Sequence, residues 1–116
     1  MSSQHIESET TAPTRDLHRA LASLQEELEA IDYYQQRSDA ATDAELKEIL
    51  LHNRDEEVEH AVMLLEWIRR RLPVFDAQFK TYLFSKGRLT AIEDAAENAK
   101  GGAGGRDGDL KIGKLR

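Results

Sequence analysis

Cysteine is missing from the 116-residue sequence, which excludes disulfide bonds and thiolate metal sites. Proline and aromatic residues are scarce, with two prolines and 6% aromatics, and this balance favours a single all-helical domain. The net charge is −6 and the body of the chain has no basic cluster, which argues against nucleic acid as a partner. No apolar run approaches the roughly 20 residues of a membrane span, so no membrane partner is expected.

The two ends of the chain differ in composition from its middle. Residues 1–13 are polar and have no apolar signal core, which predicts a disordered leader and favours the cytoplasm. Four glycines within residues 100–105 predict a flexible linker, assigned to residues 100–109, ahead of a terminal segment, 110–116. The helical domain is therefore expected at residues 14–99.

Apolar residues within that domain recur at steps of three and four, the spacing of one helix face. The first helix is expected to begin just after Pro13. A capping-box pattern at residues 42–45 should start the second helix, and Pro73 should end or kink it after about Arg71. Gly87 should stop a third helix, and a second capping box, at residues 90–93, should start the last. The predicted helices are 14–38, 42–71, 74–84 and 90–99.

The fold class that follows is all-α, an antiparallel two-helix hairpin plus a short C-terminal helix. The first helix carries an apolar stripe at residues 17, 21, 24, 28 and 31. Two helices cannot enclose their own apolar stripes, whereas two copies of a hairpin form a four-helix bundle that can. Burial alone therefore predicts a homodimer.

Two polar side chains interrupt the apolar stripe of the second helix. Glu57 and His60 fall at helical spacing between Leu50 and Leu64, so they share the face that should be buried. Burying an unpaired charge is costly unless the group is neutralised or paired, and a bound cation would remove that cost. Glu-x-x-His at i, i+3 is also the helix-borne half of a di-iron carboxylate site.

A carboxylate on the first helix should face this pair. Glu27 lies three residues after Leu24 and four before Ile31, so it flanks the stripe, and Tyr34 lies two turns above it. Glu26 and Glu29 point further outward. One chain thus offers half of a di-iron site, and a symmetric dimer offers the whole. Two copies each of Glu27 and Glu57 carry four negative charges, which two divalent cations would balance.

Carboxylate oxygens with imidazole suit Fe(II), and other divalent metals such as Mn, Zn or Co are tolerated. The alternative interpretations are simpler. The Glu-x-x-His spacing arises by chance in many helices, Glu27 could form a salt bridge at the helix edge, and Tyr34 could simply pack with its hydroxyl at the rim. Glu26 and Glu29 would then belong to a solvated helix face.

Several segments together resemble the encapsulated ferritins, the ferritin-like proteins associated with encapsulins. The resemblance covers nearly all of the chain from Asp16 to Asp94. In that family two hairpins dimerise into a ferritin-like four-helix bundle with a di-iron ferroxidase centre at the interface, and five dimers form a ring-shaped decamer. The segments that carry the resemblance are 26–32 with Tyr34, 52–57 with 59–61, 65–70 and 81–84.

The resemblance implies roles for individual residues. Glu27, Glu57 and His60 of each subunit would be the metal ligands, and Tyr34 would be the tyrosine that lies beside them. Glu26 and Glu29 would match acidic residues that attract iron or pass it towards the centre. The sequence departs from the family pattern at two positions: Tyr33 replaces an expected tryptophan, and Val58 replaces a common lysine.

The end of the chain resembles the short peptide that docks cargo to the inner wall of an encapsulin. Leu110, Ile112 and Leu115 would be apolar anchors, and Gly113 would let the backbone lie close to the wall. The alternative is a disordered basic tail. The resemblance implies a cytoplasmic protein held inside an encapsulin nanocompartment, where oxidised iron is stored.

Three hypotheses about function follow. The first is a ferroxidase that oxidises Fe(II) to Fe(III) with dioxygen and delivers iron into the compartment. The second is a non-catalytic helical scaffold or adaptor that binds a divalent metal, or in which Glu57 and His60 merely pair. The third is a rubrerythrin-like peroxidase, which the absence of cysteine disfavours because no rubredoxin domain can form.

Overall fold

A computed structural model of the chain describes residues 7–104, and in this range the fold consists of four helices and no strand. The predicted all-α class is confirmed. The chain divides into two compact units, Met1–Pro73 and Val74–Arg116. The helices are α1 (Ala12–Ala40), α2 (Ala44–Arg71), α3 (Pro73–Tyr82) and α4 (Leu89–Gly104).

In the first unit α1 and α2 pack against each other as an antiparallel hairpin. Gln35, near the end of α1, accepts a 2.6 Å hydrogen bond from Arg54, whereas Leu17, near its start, lines a pocket with Trp67. Positions that advance along α1 therefore meet positions that recede along α2, and the predicted hairpin is confirmed. Its core contains Ala20, Leu24, Ala61 and the fully buried Ile68.

The hairpin keeps large apolar side chains at its surface. Leu28, on the predicted stripe of α1, is 52% exposed, and Ile49 on α2 is 51% exposed. One hairpin therefore covers only part of its apolar surface, as the sequence pattern implies. The dimer itself stays a prediction.

Both long helices begin on a side-chain cap. Thr11 caps α1, which starts at Ala12 rather than the expected Thr14, because Pro13 has no N–H to satisfy and fits a first turn. Asp43 caps α2 by accepting a 2.8 Å hydrogen bond from the backbone N–H of Leu46, so the helix begins one residue after the cap. The predicted end of α2 at Arg71 is confirmed.

The later helices differ more from the predicted bounds. Helix α3 ends at Tyr82 rather than near Phe84, because Phe84 adopts φ +61° and Gly87 φ +92°, which no right-handed helix accommodates. Helix α4 runs on to Gly104, so it enters the segment predicted as a linker. Glycine lowers helix propensity by about 1 kcal/mol without forbidding helical dihedrals. The remaining linker, 105–109, and the terminal segment, 110–116, lie outside the described residues.

None of the helices in the described range combines the length with the apolar character needed to cross a lipid bilayer.

Candidate metal centre

Three potential metal ligands converge in the hairpin: Glu27 from α1, and Glu57 and His60 from α2. His60 Nδ1 lies 3.3 Å from Glu57 Oε1 and 3.6 Å from Glu27 Oε1. One donor atom from each of the three residues lies within 4.8 Å of the others. Among the residues that the structure describes, no other trio of His, Asp or Glu side chains converges in this way.

Local helix geometry accounts for this arrangement. Glu57 and His60 are separated by three residues, so their side chains leave the same face of α2. On α1, Glu27 lies three residues after the buried Leu24, which places it at the edge of the face that packs on α2. Antiparallel packing then brings the carboxylate of α1 to the pair on α2.

The cluster is less buried than the sequence pattern predicted. The side chains of Glu27, Glu57 and His60 are 23%, 25% and 43% exposed. The reason is that a single hairpin covers one side of each helix only, and the cluster lies where that cover ends. A cation held by these three residues alone would therefore have open coordination positions.

Glu27 and Glu57 shift each other's pKa in opposite directions. A hydrogen bond to Glu57, partial burial and the like charge of Glu57 raise the pKa of Glu27 above its ordinary value. The same hydrogen bond lowers the pKa of Glu57, and so do the hydrogen bond to His60 and its charge. The pKa values of the two carboxyl groups are therefore pushed apart.

The imidazole of His60 interacts with the negative charge of both carboxylates, Glu27 and Glu57. A hydrogen bond to Glu57 and the charges of Glu27 and Glu57 raise the pKa of His60, against the opposing effect of desolvation. The direction of this shift reports a negative potential where the three side chains meet, and such a potential attracts cations.

The donor set suits a divalent transition metal. Two carboxylates and one imidazole are the ligands that Fe(II), Mn(II) and Zn(II) accept, and Ca²⁺ or Mg²⁺ would prefer oxygen alone. The set is half of that found in di-iron bundles, which combine two single Glu residues with two Glu-x-x-His motifs. The three residues therefore fit a metal ion that takes its remaining ligands from outside this chain's cluster.

The other predicted site residues are outside this trio. Glu26 and Glu29 are exposed on α1, and Glu29 accepts a 3.1 Å hydrogen bond from the hydroxyl of Tyr33. This bond raises the pKa of Tyr33. Tyr34 is half-buried, and the guanidinium of Arg37 lies 5.6 Å from its ring centroid. Their roles in binding or passing iron stay predictions.

Sequence reasoning missed two residues of the hairpin. Arg54 links the two helices through Gln35, and the carboxylate of Asp55 holds its guanidinium at 2.8 Å. Met63 lines an open groove together with Glu27 and His60. The only sequence signal for Met63 was its place three residues after His60, one turn further along the same face.

Comparison with known proteins finds a matching family model and related proteins. The EncFtn-like family model matches residues 2–86. An "Encapsulated ferritin-like protein" of Rhodospirillum rubrum is 52% identical over 112 residues, which cover 89% of this chain and 79% of the relative. A "Ferritin-like protein" of Thermotoga maritima is 50% identical over 108 residues, 93% of this chain and 92% of the relative.

A solved structure has the same fold. The crystal structure of protein ne0167 from Nitrosomonas europaea superposes with a TM-score of 0.72 at 57% sequence identity. The match covers 74% of this chain and 97% of that one. The ferritin-like character expected of the fold is therefore confirmed.

Proposed function

The chain belongs to the EncFtn-like family, and from this premise we propose that it is a ferroxidase, which oxidises Fe(II) to Fe(III) with dioxygen. Membership in an encapsulated ferritin-like family implies an iron-related function. The observation that carries the finer proposal is the convergence of Glu27, Glu57 and His60 within 4.8 Å. Iron is the substrate here, and these three side chains bind it.

The site is completed by a second copy of the chain. Each hairpin contributes two carboxylates and one imidazole, and two hairpins related by a twofold axis contribute the full ligand set of a di-iron centre. Four ionised carboxylates balance the charge of two Fe(II) ions. The exposed Leu28 and Ile49 support this arrangement, because a partner helix would cover apolar surface as it brings its ligands.

The chain's own residues prepare the reaction. Glu57 and His60 are fixed on one helix face, so they hold the metal at a defined position, while Glu27 supplies a carboxylate from the facing helix. Electrons pass from Fe(II) to dioxygen. Tyr34 is assigned a place beside the ligands, and Glu26 and Glu29 are assigned to attracting iron at the exposed side of α1. The assembly that we propose is a ring-shaped decamer of five dimers.

Delivery into a shell completes the proposal. The relative from Rhodospirillum rubrum is named an encapsulated ferritin-like protein. We assign residues 110–116 of this chain to docking on an encapsulin wall, through Leu110, Ile112, Gly113 and Leu115. The protein would then work in the cytoplasm, inside the encapsulin nanocompartment.

Oxygen consumption with Fe(II) under air tests the ferroxidase proposal. Glu57→Ala and His60→Ala should each slow oxidation at least about 10–100-fold, the range already produced by losing groups that only support metal ligands. Glu59→Ala removes an exposed carboxylate from the same helix turn and should leave the rate unchanged. Equal rates in all four proteins would end the ferroxidase proposal.

The second candidate function is a non-catalytic helical scaffold or adaptor, which binds a divalent metal without turnover or in which Glu57 and His60 merely pair. The observation in its favour is that Glu57 and His60 already pair at 3.3 Å and so need no cation to satisfy each other. Titration with Fe(II) under argon, followed by exposure to air, separates the two candidates, because a scaffold or adaptor does not accelerate the oxidation of iron whether or not it binds the metal.

Docking has its own test. Co-expression with an encapsulin shell protein should yield a co-purifying complex, and Ile112→Asp with Leu115→Asp should abolish it without slowing iron oxidation. Lys111→Ala with Lys114→Ala changes the same segment but spares the apolar anchors, so this control should still co-purify. Retention of the Asp variant in the shell would contradict docking by this segment.

A further inference from the structure

Met63 has an unusual position for a methionine. Its side chain is 57% exposed on α2, yet it lines the groove of about 610 Å³ that also contains Glu27 and His60. The chain has two methionines, and the other is Met1, so no second thioether occurs in the described residues.

Helix geometry keeps the thioether close to the metal ligands. Met63 follows His60 by three residues, and Leu64 and Trp67 continue the same face along the groove. Methionine has a flexible, polarisable side chain whose sulfur reacts readily with oxidants. Leucine would fill the same space with no oxidisable atom.

The proposed reaction produces an oxidant in this groove. Two Fe(II) ions at one site supply two electrons, and two electrons with two protons convert dioxygen to hydrogen peroxide. Met63 lines the same groove as Glu27 and His60, so it lies beside the cluster at which the peroxide would form.

We propose that Met63 is an oxidation site that captures hydrogen peroxide released at the Glu27, Glu57 and His60 cluster. A sulfur lone pair attacks one peroxide oxygen, the O–O bond breaks, a sulfur–oxygen bond forms and water leaves after proton transfer. The thioether is oxidised by two electrons to a sulfoxide, and the peroxide is reduced. This inference rests on the proposed ferroxidase function.

The modification would have a protective effect. Each sulfoxide formed removes one peroxide molecule that could otherwise react with Fe(II) to give radicals. Methionine sulfoxide is reduced by methionine sulfoxide reductases, so the capture is renewable. The exposed side chain of Met63 leaves room for the added oxygen atom.

The test uses the full-length protein and measures the oxygen atom that it gains. The protein is loaded with Fe(II) under argon, exposed to air in the presence of catalase, and mapped by peptide mass spectrometry. Sulfoxide at Met63 should increase with the number of iron ions oxidised. Because catalase is too large to enter the groove, it should not suppress this product.

A matched variant moves the thioether out of the groove. Val62 is also 57% exposed, but it is the neighbouring residue, about 100° round the helix, and it does not line the groove. In the double variant Met63→Leu with Val62→Met, the new methionine should gain several-fold less sulfoxide than Met63 does. Met63→Leu alone should oxidise iron at the unchanged initial rate.

The outcomes separate the two proposals. Normal iron oxidation with no sulfoxide at Met63, with equal sulfoxide at position 62, or with suppression by catalase would overturn the role of Met63 alone. Iron oxidation no faster than in protein-free buffer would overturn the ferroxidase proposal and the peroxide capture with it.

Discussion

Repulsion between Glu27 and Glu57 makes their cluster with His60 a site that favours positive charge. A hydrogen bond to Glu57 and its like charge raise the pKa of Glu27. A divalent cation would relieve the same repulsion with more charge than a proton. The hydrogen bonds within the cluster therefore do not argue against a binding site.

Glu66 forms a different kind of charged group, and its effect on stability depends on pH. Two hydrogen bonds from Arg69 and one from Arg70, each 2.7–2.8 Å long, lower the pKa of Glu66 from 4.5 to about 2. A carboxylate with a lowered folded-state pKa stabilises the fold fully above the unfolded value of 4.5. That stabilisation is lost as the pH falls towards about 2.

We expect Glu66→Gln to flatten the acid dependence of unfolding. The side chain is 40% exposed, so solvent screens the ion pairs and the effect should be modest. Urea unfolding followed at a series of pH values between 5 and 2 measures it in both proteins. The control Glu59→Gln should keep the wild-type slope, and an unchanged slope in Glu66→Gln would show that the arginine pairs do not stabilise the fold.

The three residues at the cluster could be found from sequence, whereas their neighbours could not. Glu57 and His60 interrupt an apolar stripe at i, i+3, so periodicity alone draws attention to them. The predicted roles of Tyr34 and Glu29 depend on what approaches the surface of α1, which periodicity does not describe. Sequence alone does not single out Met63, because a methionine on an amphipathic helix is usually a packing residue.

Helix ends show how local chemistry limits prediction of the elements. The capping-box pattern at residues 42–45 located the start of α2, but it implies Thr42 as the cap, which is wrong. In the structure Asp43 accepts the hydrogen bond from Leu46. An ionised carboxylate is also favoured at this end by the helix dipole.

Asp43→Ala should therefore destabilise the hairpin by about 0.5–2 kcal/mol, the usual cost of losing an N-cap side chain. Chemical denaturation followed by circular dichroism measures the change. Asp43→Asn preserves the acceptor and should recover most of the stability, and Thr42→Ala should have little effect. Equal losses of stability in Thr42→Ala and Asp43→Ala would show that the assignment of the cap to Asp43 is wrong.

A positive φ angle explains why α3 ends earlier than the sequence pattern predicts. The apolar pattern continues through Leu83 and Phe84, so it predicted a longer α3, yet Phe84 lies in the left-handed region. Apolar spacing reports which face of a segment is buried and carries no information about a single reversed dihedral. Composition likewise misjudged the end of α4, because glycine weakens a helix without ending it at a set residue.

The hairpin as a whole has more apolar surface than it can cover. Its buried core is small, and Leu28 and Ile49 remain about half exposed. A monomer in this state would lose stability and solubility to solvent-exposed apolar area, whereas a twofold partner would bury that area. The half-complete ligand set lies on the same hairpin, so assembly and metal binding should be energetically linked.

Fe(II) should therefore stabilise the dimer. A ligand that binds only the assembled state stabilises it by RT ln(1 + [L]/Kd), which is about 2.7 kcal/mol at a hundredfold excess over Kd. Native mass spectrometry of a dilution series, recorded anaerobically with and without Fe(II), should show dissociation shifting to lower protein concentration when iron is present. Anaerobic conditions keep oxidation from obscuring the binding step.

His60→Ala distinguishes this linkage from a general effect of divalent ions. The variant keeps the apolar faces and should still dimerise, but it lacks the imidazole at each half-site, so Fe(II) should shift its dissociation little. If Fe(II) left the wild-type dilution curve unchanged, the ligands of one chain would not depend on the other. An equal shift in His60→Ala would instead show that the stabilising ions bind elsewhere on the surface. Either result would contradict a metal centre shared between two chains.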